Sequence, residues 1–362
     1  MKLYSFTTVK DEEDIIESFV RYNMNILDGM VISDNNSSDS TLNILYKLKD
    51  EGYNIDIIED KNNTFNQYKV KNDLLNYTKD KYKPDFIFPL DADEFIASND
   101  KCNPRDIIKS LDKDNLYFYE MIDYIYEKGK ESFIPARLTK VLANKKNKHY
   151  KTIISKNIYT KGIDLYLGSH DAGYINGEPI NKVYLDSIYV AHYPVRSIEQ
   201  YTNKAILTLN CLRYYSKESD VSYHRHYMLD KIIKKGKITE NDLYKFSIAY
   251  TDDSINIKDY KIKNKKLKYS FCNKIKCIYT PKSNKLNILG NSLKLSEDII
   301  NEMRSEVINN SRTINELNNK IYEYRDRIEK DNEIINHQSE DYQKIINSRW
   351  WKLRKIFLFW KK

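Results

Sequence analysis

The sequence predicts an α/β fold, a mostly parallel sheet flanked by helices, followed by a long helical extension. Three observations predict it. Short apolar runs alternate with helix-like segments over residues 1–100, and several of those runs end abruptly in acids or other polar residues. From residue 296 onward apolar residues recur every seven positions. Strands separated by helices point to a parallel sheet with right-handed crossovers.

Leu3 to Val9 reads as the first strand. Asp11-Glu12-Glu13-Asp14 then loads acids onto an expected helix start, where the helix dipole favours them. Ile15, Ile16, Phe19 and Val20 supply that helix with an apolar face. Met30-Val31-Ile32 is a second buried strand. It runs into the loop and cap segment Ser33-Asp34-Asn35-Asn36-Ser37-Ser38-Asp39-Ser40-Thr41. Leu42, Leu45 and Leu48 mark a helix that ends before Gly52. Ile55 to Ile58 is a third strand, 65–78 a helix and Phe86 to Leu90 a fourth strand. Residues 100–200 are Tyr-rich and less regular, with strand-like runs at Leu116–Tyr119, Leu138–Leu142 and Val183–Val190. Residues 196–250 read as helical with polar breaks, and 250–295 are basic.

The expected divisions are 1–205, 206–295, a coiled coil over 296–347 and a basic aromatic tail over 348–362. In the coiled coil, Ile300, Val307, Ile314, Ile321, Ile328, Ile335 and Tyr342 fall at one heptad position. Their β-branched character favours a parallel two-stranded coil and so a homodimer. The companion positions include Asn310, Asp331 and Gln338, which weakens the seam; the alternative is a lone surface helix. The tail interleaves Trp350, Trp351, Phe357, Phe359 and Trp360 with Lys and Arg. That pattern suits an anionic lipid interface or a docked segment.

The chain has 362 residues, 41% of them hydrophobic, enough for a sizeable core. Its net charge of +8 comes from dispersed basic residues without an aromatic RNA-binding signature, so no nucleic-acid partner is expected. Cys102, Cys211, Cys272 and Cys277 show no metal-type pairing and read as free thiols in a reducing cytosol. No apolar run reaches the length of a membrane span, so the expected location is cytoplasmic, with possible contact at the inner membrane face.

The chemistry concentrates in Phe86-Ile87-Phe88-Pro89-Leu90-Asp91-Ala92-Asp93-Glu94-Phe95. An apolar strand that stops in three carboxylates puts charge at the carboxyl edge of the sheet, where open α/β sheets bind ligands. Two hard oxygen ligands with room for water and phosphate suit Mg²⁺ or Mn²⁺. His192 follows the strand Val183–Val190 in Ala191-His192-Tyr193-Pro194-Val195-Arg196-Ser197, a second polar burst after a strand. Gly168-Ser169-His170-Asp171-Ala172 is a third polar site.

Taken together, Lys10-Asp11-Glu12-Glu13, Asp34 to Thr41, Asp91-Ala92-Asp93-Glu94-Phe95 and His-Tyr-Pro-X-Arg-Ser resemble the family 2-type glycosyltransferases of the GT-A fold. The likeness covers residues 1–205 and is closest to a bacterial subgroup with those last two motifs. It implies a Rossmann-like GT-A domain and a metal-dependent enzyme that moves a sugar from a nucleotide-diphosphate donor, UDP favoured. The acceptor would be a glycan, lipid-linked or protein group in surface polysaccharide or glycoconjugate synthesis. The resemblance gives Asp91, Asp93 and His192 to the metal, and Thr8, Glu12, Asp34, Asp91, Arg196 and Lys204 to the nucleotide. Asp171, with His170 beside it, is the candidate base, and Glu120 and Asp123 are rivals. The family's usual Glu-Asp pair does not follow. Two other readings remain: a nucleotidyltransferase, which would normally show a Gly-rich loop after the first strand, and an inactive domain acting through its coiled coil.

Overall fold

The computed structural model describes residues 1–60, 67–100, 102–204, 238–252, 260–281, 288–349 and 353–354. Cys211 and most of the basic aromatic tail lie outside the described residues. The first half builds the sheet framework: β1 (Leu3–Val9), α1 (Ile16–Asn23), β2 (Gly29–Asp34), α2 (Thr41–Asp50), β3 (Ile55–Glu59), α3 (Gln67–Tyr82), β4 (Phe86–Pro89) and β5 (Glu94–Ser98). After α4 (Pro104–Ile108) come β6 (Leu116–Asp123), α5 (Ile134–Arg137), β7 (Lys140–Leu142), β8 (His149–Ser155) and α6 (Lys156–Tyr159). Two short strands, β9 (Ile163–Leu165) and β10 (Ala172–Tyr174), precede the long β11 (Lys182–His192). Then follow α7 (Glu240–Thr251), β12 (Ile262–Asn264) and α8 (Ile288–Asn347).

The expected fold class is the one observed. Among the described residues one 8-stranded sheet has the order β3-β2-β1-β4-β8-β6-β11-β5. β3, β2, β1 and β4 run parallel to one another, and β6 and β11 are parallel. Antiparallel β8 lies between β4 and β6, and antiparallel β5 closes the edge beside β11. Both faces are covered, so the central strands are apolar on both sides. Leu3, Met30, Ile32, Phe86 and Phe88 pack in one core cluster, while Phe6, Val31 and Ile87 enter another. That alternation is the period of two of a pleated strand.

Three elements differ from the sequence reading. The acids Asp11 to Asp14 precede α1, whose N-cap is Ile15, and lie in the turn before it. Glu94 and Phe95, the end of the acidic run in the sequence, open strand β5: the Glu94 amide bonds the Asp91 carbonyl at 3.0 Å, and this tight turn sends the chain back along β11. Strand β8 was not legible, because only Ile153 and Ile154 are aliphatic in His149-Tyr150-Lys151-Thr152-Ile153-Ile154-Ser155.

The chain divides into two compact units, Met1–Glu297 and Asp298–Lys362. The second is built on the continuation of α8, along which Val307, Ile314, Ile321, Ile328, Ile335 and Tyr342 are all exposed. No helix among the described residues is long and apolar enough to cross a membrane.

Candidate active site

Because β1, β2, β4, β6 and β11 point the same way, their carboxyl ends share one edge. This brings together Thr8, Asp34, the Asp91–Asp93 turn, Asp123 and His192 from distant parts of the sequence. The register sets His192 opposite Asp123 on one side and Glu94 on the other.

His192 is the centre of the arrangement. Its Nδ1 lies 2.7 Å from Asp123 Oδ1, and its Nε2 faces Asp93 Oδ1 at 3.6 Å. Lys145 holds the other Asp123 oxygen at 2.9 Å. Ionised Asp123 can only accept, so Nδ1 carries the hydrogen and Nε2 is the atom turned to Asp93. Burial alone would lower the imidazole pKa, but Asp93 and Asp123 outweigh it and raise it to about 10. Asp93 is also buried, which would raise its pKa, yet Lys204, His192 and Arg196 hold it well below the carboxylate range.

This pair fits the implied cation once the cation displaces the proton that Asp93 and Asp123 hold on the ring. A carboxylate oxygen and an imidazole nitrogen, with the second ring nitrogen fixed by a carboxylate, form the donor set of an oriented metal site. Two protein ligands would leave positions for phosphate oxygens and water. Among the described residues no group of three or more His, Cys, Asp or Glu side chains is arranged to hold an ion.

Asp91 does not join the pair. Its two oxygens face Lys71 Nζ at 2.9 Å and Lys151 Nζ at 2.8 Å, and Lys151 also meets Glu94 at 2.8 Å. Asp91, expected to reach the ion through water or to contact the ribose, is clamped by two buried lysines, while its carboxylate stays 35% exposed. Burial would raise the Asp91 pKa, but the lysines lower it steeply. Burial raises Glu94 to about 7 against the pull of Lys151. Glu94 Oε2 accepts the Asp91 amide at 2.9 Å and so braces the turn. Sequence reasoning missed Lys71 and Lys151. The sequence around Lys151, His149-Tyr150-Lys151-Thr152, has the composition of an exposed segment and carries no signal that this lysine is buried and paired.

Arg196 is fully buried and its donors are all engaged by protein. Nε and Nη2 fork onto Asp14 at 2.7 and 2.9 Å, and Nη2 also bonds Glu12. Nη1 donates to the Tyr193 carbonyl at 3.1 Å and to Asp93 at 3.5 Å. Arg196 thus ties the β1 loop to the Asp91–Asp93 turn. It precedes the helical residues 198–204, and its amide bonds Gln200 Oε1 at 3.1 Å. Glu12, expected at a helix start or the nucleotide, is spent on this clamp, and burial raises its pKa despite Arg196. Lys204 is the partly open cation of the group, 31% exposed, with Asp93 at 3.3 Å and Glu12 at 3.6 Å.

At the far side of the edge, Asp34 is buried. Its Oδ2 accepts the Ser37 amide at 3.0 Å, while Oδ1 has no hydrogen-bond partner among the described residues. An unmet carboxylate oxygen at a strand end is a ready acceptor for a ligand N–H or hydroxyl. Asp39 accepts the Thr41 amide at 2.9 Å and the Glu13 amide at 3.1 Å, so it caps the α2 start and ties it to the β1 loop. Thr8 lies half-buried near the end of β1, in register with Ser33.

The loop with His170 and Asp171 approaches from β9–β10. Gly168 and Ser169 both take positive φ, 72° and 60°, and this bend buries Ser169 with its Oγ 3.2 Å from Lys71. His170 is exposed, and its Nδ1 meets the Tyr150 carbonyl at 2.7 Å, so Nδ1 carries the hydrogen and Nε2 keeps a lone pair. Partial desolvation where the ring meets the chain, and then Lys151, lower its pKa. Asp171 has both oxygens on Lys182, at 2.7 and 2.6 Å. Of the rival bases, Asp123 is committed to His192 and Lys145, and Glu120 meets Lys148 at 3.2 Å.

No protein-family model matches the chain. No curated protein matches it either. Among solved structures, the chain is similar to a mannosyltransferase from Pyrobaculum calidifontis, solved with GDP-Man and Mn²⁺, at 11% identity over 69% of each chain and a TM-score of 0.35. HddC from Yersinia pseudotuberculosis aligns at 12% identity over 53% of this chain and 93% of that one, with a TM-score of 0.30. Glucosyl-3-phosphoglycerate synthase from Mycobacterium tuberculosis, with Mn²⁺, UDP and glucosyl-3-phosphoglycerate, aligns at 12% identity over 61% and 81%, with a TM-score of 0.28.

Proposed function

We propose that this chain is a metal-dependent glycosyltransferase that takes a sugar from a nucleotide-diphosphate donor, with a UDP-sugar favoured. The observation that carries the reading is the buried Asp93–His192 pair, oriented by Asp123 at the carboxyl edge of the sheet. Asp93 and His192 would hold Mn²⁺ or Mg²⁺. The ion would neutralise charge developing on the departing diphosphate. Lys204 would shift from Asp93 toward that diphosphate, while Arg196 keeps the β1 loop against the turn. The free oxygen of Asp34 would accept from the base or ribose, and Thr8 lines the same strand end. Asp91, held by Lys71 and Lys151, would accept from the donor's hydroxyls rather than ligate the ion directly.

For the acceptor proton, His170 is better prepared than Asp171. A neutral imidazole with a free Nε2 can take a proton, whereas Asp171 is neutralised by Lys182. The acceptor class, a glycan, glycolipid or protein, follows only from the family resemblance. The exposed heptad positions of α8 support a homodimer through 296–347, because an isolated apolar seam of that length gains from pairing. Removing residues 298–362 should leave a monomer by light scattering; an unchanged dimer refutes that seam.

Calorimetric titration of UDP, first with Mn²⁺ and then with EDTA, tests the central reading. Binding that requires Mn²⁺ is expected, and Asp93→Asn should abolish it. UDP, GDP and dTDP all failing to bind in the presence of Mn²⁺ overturns the nucleotide assignment.

A further inference from the structure

Residues 261–281 form a strap across the edge of the first unit. They include seven lysines, Lys261, Lys263, Lys265, Lys266, Lys268, Lys274 and Lys276, and neither an acid nor an arginine. All except Lys265 are exposed. None of these lysines forms a salt bridge among the described residues, although lysines elsewhere in the unit are repeatedly paired with acids.

The strap is firmly held from beneath. β12 pairs with β7, the Lys265 amide bonds the Thr139 carbonyl at 2.8 Å, and Tyr124 donates to the Lys265 carbonyl at 2.6 Å. Leu267 and Tyr269 are buried, and Tyr269 accepts the Ser98 amide at 2.6 Å. At its end, the buried Glu17 carboxylate accepts the amides of Ile278, Tyr279 and Thr280, each at 2.8 Å. With inward positions fixed, Lys261 and Lys263 flank half-buried Ile262, and Lys266 and Lys268 flank buried Leu267. A cavity of about 530 Å³ opens among Lys265, Lys266, Lys268, Asn99 and Tyr189, with Asp100 on its wall. Ile278, 67% exposed, adds an apolar side chain at the end of the basic run.

We propose that residues 261–276 are a lysine-fringed docking face for an anionic lipid bilayer. Unpaired lysines on a rigid support attract anionic headgroups without first breaking ion pairs. The absence of arginine favours this source: lysine acts as a point charge on a fluid array, whereas fixed phosphates of a nucleic acid are matched better by the arginine fork. The exposed isoleucine suits the same interface. This face is separate from Asp93 and His192, and the inference stands whether or not the site transfers sugar.

The test is co-sedimentation of the full chain with phosphatidylcholine vesicles, with and without about one-third phosphatidylglycerol. Binding is expected only to the anionic vesicles, and should fall steeply between roughly 50 mM and 500 mM salt. Replacing the six exposed strap lysines with Gln should weaken it about tenfold or more, while replacing them with Arg should retain it. A separate variant with Lys352, Arg354, Lys355, Lys361 and Lys362 changed to Gln gauges the tail. The proposal is overturned if the strap-to-Gln variant binds like the unaltered chain, if neutral vesicles bind equally well, or if the unaltered chain retards RNA but ignores the vesicles. Unchanged near-UV tyrosine signal in the Gln variant excludes unfolding as the cause of a loss.

Discussion

Arg196→Met is the sharpest probe of how the site is held together. The substitution keeps an unbranched, buried side chain but deletes every contact of the guanidinium. Asp14 loses a two-pronged ion pair, Glu12 loses its main partner and keeps Lys204 at 3.6 Å, and Asp93 loses one of its cations. Removing one partner of a buried ion pair costs about 3–5 kcal/mol, because the remaining charges stay desolvated. Arg196→Lys retains charge but has three donors and no fork, so about 1–3 kcal/mol is expected. Urea unfolding followed by the near-UV signal of buried tyrosines such as Tyr124 and Tyr193 reports the first unit rather than the long helix. The Met variant's deficit should shrink as the pH falls, because burial raises the Glu12 pKa and a protonated Glu12 leaves no buried charge behind. A Met deficit below about 1 kcal/mol, the range of an exposed pair, refutes the clamp.

Three further outcomes are expected. Asp123→Asn should weaken Mn²⁺ affinity about 10–100-fold, the usual cost of losing a carboxylate behind a ligating histidine; unchanged affinity in a Mn²⁺ titration with UDP present disproves that role. Lys151→Met should raise the donor KM and destabilise the first unit, since Asp91 and Glu94 lose their shared cation; steady-state kinetics with unchanged KM and unchanged urea midpoint would contradict the clamp. Burial raises the Asp39 pKa to about 7, against the hydrogen bonds from Thr41. The folded state then holds a proton that the unfolded chain has released, so this group's contribution to stability falls as pH rises from about 4 to 7 and is flat above that. Asp39→Asn should flatten this part of the stability–pH profile, and an identical profile in the variant would count against the raised pKa.

Much of the framework was legible in the sequence, because it rests on local patterns. Apolar runs at Leu3–Val9, Met30–Ile32, Ile55–Ile58 and Phe86–Leu90 are strands wherever both faces of a sheet are covered, and their polar ends mark the edge that gathers the site. The seven-residue repeat of α8 is likewise a property of the chain itself. The pairings of the charged residues were not legible. Asp11 to Asp14 have the composition of a helix start, but a cation that arrives 182 residues later, Arg196, decides what Asp14 does. Asp91 and Asp93 are chemically identical and two residues apart; the tight turn at Glu94 sends one toward Lys71 and Lys151 and the other toward His192.

Sequence by itself therefore determined the fold class, the polar ends of the strands and the seven-residue repeat of the long helix, all of which depend on periodicity and burial. Tertiary structure alone decided which cation neutralises which carboxylate. Those choices depend on contacts at 3–4 Å between segments far apart in the chain, where a shift of one register position would exchange one partner for another.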